Sequence, residues 1–146
     1  MDPAPTPVAR DDGAHSQSML STISNEMVGI YKDQFGRGPT KTRANWAGPD
    51  VLVVTLEKTL TAAEHTLQQL GFDTRLRELR MLFQYADTDV FCAPVERLTG
   101  RKVRAFLSGI DTEADLACEM FVLHPEGYDG PSRVDAVTER QISHLR

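Results

Sequence analysis

The six residues Val51 to Leu56 (VLVVTL) are all apolar or β-branched, and Gly48-Pro49-Asp50 stands directly before them. Branched side chains lose rotamer freedom in a helix and pack well on a pleated surface, so the run predicts a strand. Gly-Pro-Asp is turn chemistry. Upstream of it, Thr40 to Ala47 alternates. Thr42, Ala44 and Trp46 fall on one side, and Lys41, Arg43 and Asn45 on the other. The two runs together read as a β-hairpin, and a hairpin needs more strands and a cover to be stable.

The remaining chain supplies both. Leu20, Ile23, Met27, Ile30, Tyr31 and Phe35 keep helical spacing. Ser16 or Ser18 is placed to cap that helix, Gly36 to end it in a left-handed conformation, and Pro39 to prevent its continuation. Thr61-Ala62-Ala63-Glu64 has the form of a capping box opening a second helix, with Leu67 and Leu70 as its buried edge and Gly71 as its stop. From Asp73 or Thr74 a longer helix follows. Its stripe Phe72, Leu76, Leu79, Phe83, Ala86 and Val90 is expected to face the core. Pro94 is expected to kink or restart this helix, and Gly100 to end it. Lys102 to Ser108 and Leu116 to His124 form a second strand pair around the turn Asp111-Thr112-Glu113-Ala114. The order α-β-β-α-α-β-β predicts an α+β, two-layer fold. It has a four-stranded, mostly antiparallel sheet with helices on one face.

Length and composition set the outer limits. A chain of 146 residues that is 40% hydrophobic holds one modest core. Residues 1–15 carry three prolines and almost no bulky apolar side chains, and read as a disordered arm. Residues 16–124 form the single domain. Residues 125–146 open as the loop Pro-Glu-Gly-Tyr-Asp-Gly-Pro and continue as a polar tail, in which Val134 to Leu145 is a short helix at most. A net charge of −5 argues against nucleic acid as a partner, because phosphate binding needs a basic footprint. No apolar run approaches the ~18 residues of a membrane span, so no direct membrane insertion is expected. Neither a basic-then-apolar leader nor a cysteine framework is present. Cys92 and Cys118 stand alone, and the expected location is the reducing cytoplasm.

Strand parity divides the sheet into two faces. Leu52, Val54, Leu56, Val103, Ala105, Leu107, Cys118, Met120 and Val122 share one parity and form the expected core face. Val51, Val53, Phe106, Phe121 and Leu123 share the other, mixed with Arg43, Arg104 and Glu119. Large apolar groups among charges mark an interaction surface, and these five residues are the expected interface of a homodimer or a partner complex. The alternative cover for that face is the C-terminal tail.

Chemistry-bearing motifs are few. Gly36-Arg37-Gly38-Pro39, with Lys41 and Arg43 just beyond, is the most pointed local motif: two glycines free the backbone to expose amides beside positive charge. It fits an anion or carboxylate site, or a helix cap followed by a turn. It lacks the GK[ST] of a P-loop and the spacing of a dinucleotide fold. His65, Cys92, Cys118 and His124 lack metal-ligand spacing, so no metal is expected. Asp87, Asp89, Asp111 and Glu113 lie at helix starts and turns, where acidic residues serve as caps. No nucleophile motif occurs, and no catalytic residue and no cofactor are assigned. The expectation is a protein that is not an enzyme.

Several motifs in order resemble one bacterial family. They are Gly36-Arg37-Gly38-Pro39, the arginine-bearing strand at Arg43, the strand Val51 to Leu56, Leu60-Thr61-Ala62-Ala63-Glu64 opening a helix, and Leu98-Thr99-Gly100 before Lys102-Val103. Over roughly residues 20–124 the chain is similar to the MpsC family, named for the small soluble component of a sodium-translocating, membrane-potential-generating system. The resemblance implies a non-enzymatic accessory subunit of a sodium-translocating or inorganic-carbon-linked complex. Such a subunit would dock on an integral-membrane partner and be peripheral at the inner face of the cell membrane. The alternative function is a small-ligand or anion sensor built on the Gly36–Pro39 loop. Pro94 and the apolar stretch Tyr85 to Phe91 depart from the family's usual continuous, charge-rich helix.

Overall fold

The computed structural model describes residues 11–133. Most of the expected N-terminal arm, residues 1–10, and the Val134 to Leu145 stretch lie outside the described residues. The chain runs α1 (Asp11–Phe35), β1 (Lys41–Trp46), β2 (Val51–Glu57), α2 (Ala62–Gln69), α3 (Asp73–Ala86), α4 (Thr88–Thr99), β3 (Val103–Asp111) and β4 (Leu116–Leu123). The four strands form one sheet in the order β1-β2-β4-β3, and every neighbouring pair is antiparallel. The α+β fold is as the sequence predicts, with one helix more because α3 and α4 are separate.

The helix ends follow the local chemistry. α1 begins at Asp11, ahead of the expected serine caps, and buries Leu20, Ile23, Met27 and Tyr31 along one side. Gly36 ends it at φ 73°, its N–H donating to the Lys32 carbonyl at 2.8 Å. Thr61 and Glu64 make both halves of the capping box that starts α2. Gly100 closes α4 at φ 67°. The break expected at Pro94 falls instead at Asp87. There one N–H is shared between the carbonyls of Phe83 and Gln84, and the Thr88 hydroxyl donates to the Tyr85 carbonyl at 2.6 Å. Pro94 lies within α4, buried.

The core is one cluster. Leu20, Ile23, Met27 and Tyr31 of α1 and Phe91, Cys92 and Val95 of α4 cover Leu52, Val54, Leu56, Val103, Phe106, Ala117, Phe121 and Leu123 of the sheet. Burying a Leu, Val or Phe side chain contributes about 1.5–3 kcal/mol, so this layer is the main source of stability.

The expected division of the faces needs correction. β2 has the expected parity. On β4 it is inverted: Ala117, Glu119, Phe121 and Leu123 point into the core, and Cys118, Met120 and Val122 point away. On β3 a bulge between Val103 and Ala105 shifts the register, so Val103 and Phe106 both face inward and Leu107 outward. Phe106, Phe121 and Leu123, read from the sequence as interface residues, are therefore core residues. Glu119 is the physical reason for the error: a carboxylate in the inward row made that row look solvated.

Candidate functional site

The helices above Glu119 are built around it. Its Oε1 accepts hydrogen bonds from the Tyr31 hydroxyl at 2.7 Å and from Gln84 Nε2 at 2.8 Å. Ser108 Oγ donates to Gln84 Oε1 at 2.6 Å, and these groups link α1, α3, β3 and β4. Burial disfavours the carboxylate and pushes Glu119 up to about 7, although Ser108, Tyr31 and the Arg80 charge pull the other way. Tyr31 is pushed above its ordinary range by burial first and by Glu119 second.

One turn earlier on α3, Arg80 is almost fully buried. It donates to Glu64 through Nε at 2.6 Å and Nη2 at 2.7 Å, and to the Thr59 carbonyl at 2.8 Å. Its guanidinium carbon lies 3.6 Å from the centroid of the Phe35 ring. Burial alone would raise Glu64, but the Arg80 and Thr61 hydrogen bonds hold it below the usual carboxylate range. Asp115 completes this layer. Its Oδ1 accepts the N–H groups of Thr59 and Leu60 at 2.8 and 3.1 Å, which ties the β3–β4 turn to the segment before α2.

A consequence appears on the other side of α3. The residues it buries are Leu76, Arg80 and Gln84, spaced by four. Of the apolar stripe read from the sequence as its core face, Leu76 alone is buried, and the other five members are turned outward. Phe72, Leu79, Phe83 and Val90 are each about half exposed, and Leu82 is 67% exposed. α2 buries nothing, so its expected inner edge, Leu67 and Leu70, is also outside. A small apolar groove of about 180 Å³ runs between α2 and α3, lined by Leu67, Phe72, Arg75, Leu76 and Leu79. A wider, open one of about 650 Å³ follows along α3 past Met81, Leu82 and Tyr85. An exposed apolar surface of this extent is characteristic of an interaction site.

The second open surface is the side of the sheet away from the helices. Val51 and Val53, expected at an interface, are part-exposed here. Their neighbours are Met120 and Val122 of β4 and Leu107 of β3, which the sequence reading had placed in the core.

The loop Gly36–Pro39 does not gather its charges. Gly36 serves as the α1 cap, and Gly38 sits so close to α1 that a Cβ would meet the Lys32 side chain at 3.0 Å and Val28 at 3.3 Å. Arg37 turns away, donating to the Leu60 carbonyl at 3.3 Å. Lys41 lies on β1 with Glu57 at 3.9 Å, and Arg43 is exposed on the same face. Among the described residues there is no cluster of His, Cys, Asp or Glu able to hold a metal ion, and no helix long and apolar enough to cross a membrane.

The sequence reading missed the Glu119–Tyr31–Gln84 and Arg80–Glu64 groups. The spacing of Leu76, Arg80 and Gln84 was the available signal, but polar residues at helical spacing ordinarily mark the solvated side. No curated protein and no solved structure matches the chain. Residues 15–125 match the family described as "Na+-translocating membrane potential-generating system (MpsC)". That span takes in all the strands and helices described above except the start of α1, and the chain belongs to the MpsC family.

Proposed function

We propose that this protein is a non-enzymatic accessory subunit of a sodium-translocating, membrane-potential-generating system. It docks through the outer face of α2 and α3 on an integral-membrane partner at the cytoplasmic side of the membrane. The observation that carries the reading is the reversal of α3. Two strongly polar side chains are held inside, Arg80 by Glu64, the Thr59 carbonyl and the Phe35 ring and Gln84 by Glu119, Tyr31 and Ser108, while Leu79, Leu82 and Phe83 are about half exposed or more. Leaving leucine and phenylalanine outside forgoes burial energy that a partner restores on docking. The family description, a Na+-translocating membrane potential-generating system, supports choosing a membrane protein as the partner. The interspersed Arg75, Arg77 and Glu78 give that face a polar rim, as protein interfaces have.

The test is isolation of the tagged chain from detergent-solubilised membranes, compared with a Leu79→Asp, Leu82→Glu variant. The expected result is an integral-membrane subunit retained by the parent chain and lost from the variant, with a smaller sodium-dependent membrane potential in cells carrying the variant. Retention by both chains, or recovery of soluble partners only, overturns the reading.

A further inference from the structure

We infer that the open sheet face is the seat of a second copy of this chain, the two copies related by a two-fold axis parallel to the strands between β2 and β4. The inference uses the sheet, not the helical face, and stands whether or not the helices dock on a membrane partner.

The face is apolar at its centre. Val53 pairs with Met120 and Met120 with Leu107, while Val51 pairs with Val122 and Val122 with Ala105. These rows run across the three adjacent strands β2, β4 and β3, and no described element covers them. Four strands of about seven residues span roughly 19 Å by 24 Å, about 460 Å² per copy and about 900 Å² in total, the size of a weak, concentration-dependent interface.

Charge selects the occupant and its orientation. β1 carries Lys41 and Arg43 on this face, with Glu57 of β2 beside Lys41, and β3, at the opposite edge, carries exposed Arg104 at its bulge and ends in Asp111. Lys41, Glu57, Leu116 and Asp111 lie in one row by strand pairing. A two-fold axis along the strands lays β1 over β3 and β2 over β4 of the other copy, and it keeps each row over itself. Lys41 of each copy then lies over Asp111 of the other. Val53 lies over Met120, and Val51 over Val122. The alternative in-plane axis, across the strands, lays β1 over β1 and inverts the rows, so Lys41 no longer meets Asp111. With Lys41 brought over Asp111 and apolar groups over apolar groups between the edges, the face meets itself under the first operation. Sheets packed in this way lie about 10 Å apart with strands nearly aligned.

The experiment is sedimentation of the full chain between about 1 and 100 μM, together with maleimide labelling of Cys118. That cysteine lies on the face, and Cys92 is buried in the core. A monomer–dimer equilibrium is expected, with Cys118 labelling slowing as the dimer fills. Met120→Lys abolishes the dimer. Lys41→Glu and Asp111→Lys each raise its dissociation constant about tenfold, and the double exchange restores it to within about threefold. A monomer at every concentration overturns the inference. So does a dimer indifferent to Met120→Lys but broken by Leu82→Glu, or Cys118 labelling that ignores concentration. The labelling arm uses the unaltered chain, so an unfolded variant leaves the test intact.

Discussion

Tyr31 and Glu119 are 88 positions apart in the chain, yet the Tyr31 hydroxyl donates to the Glu119 carboxylate at 2.7 Å. One comes from the first helix and the other from the last strand, and Gln84 of α3 donates to both, at 2.5 Å and 2.8 Å. This contact locks the helical layer to the sheet and has a measurable dependence on pH.

In the native state Glu119 holds its proton up to about 7, against an ordinary value of 4.5. Between those values the folded chain binds more protons than the unfolded one, so stability falls as pH rises. The contribution is fully present below about 4.5 and is lost as pH climbs through 7. At about 1.4 kcal/mol per unit, the loss is on the order of 3 kcal/mol. Thermal melts from pH 5 to 8.5 should show this decline, and Glu119→Gln should flatten it and raise the melting temperature at pH 8. Equal slopes for both chains would remove the carboxylate from the account.

Arg80 is a separate case, because it is charged and already paired. Removing it as Arg80→Ala strands the Glu64 carboxylate and the Thr59 carbonyl, and should cost about 3–5 kcal/mol in denaturant unfolding. Arg80→Lys should recover less than half of that. An ammonium cannot present the two parallel N–H groups that reach Glu64, nor stack as a plane on Phe35. Full recovery with lysine would mean that charge alone is what the site requires.

Much of the fold was legible because it is set by local chemistry. The Thr61–Glu64 box, the Gly36 and Gly100 stops, the Gly-Pro-Asp turn and the VLVVTL strand each act over four to six residues, and each appears as read. What was illegible depended on contacts between distant residues. Glu119 looked like a solvent residue because its partners, Tyr31 and Gln84, are 88 and 35 positions away. The bulge at Arg104 shifts inward parity within one strand, which alternation alone cannot show. The α3 stripe misled for a related reason: apolar periodicity shows which residues share a face, and the buried partners of Arg80 and Gln84 decide which face is turned in. Of the candidate interface residues, Val51 and Val53 lie on the open sheet face, and Phe106, Phe121 and Leu123 are in the core.

The two cysteines should differ sharply. Burial, opposed by the nearby Arg133 charge, pushes the Cys92 thiol up to about 12, so almost no thiolate exists at neutral pH. Ellman's reagent should therefore titrate one thiol, Cys118, in the dilute native protein and two in denaturant. A rapid native reading of two would place Cys92 outside the core.

The outer face of α3 is assigned to binding and not to folding, and stability measurements separate the two. Leu82 is 67% exposed and Leu76 on the same helix is 1% exposed. Leu82→Glu removes a side chain that leaves no cavity, and should change unfolding free energy by no more than about 0.5 kcal/mol. Leu76→Ala leaves a hole beneath the helix and should cost about 2–5 kcal/mol. A chain that melts like the parent yet loses its membrane partner on Leu82→Glu has spent that leucine on recognition. If Leu82→Glu destabilises as much as Leu76→Ala, the outward leucine is part of the chain's own packing, and the docking assignment fails.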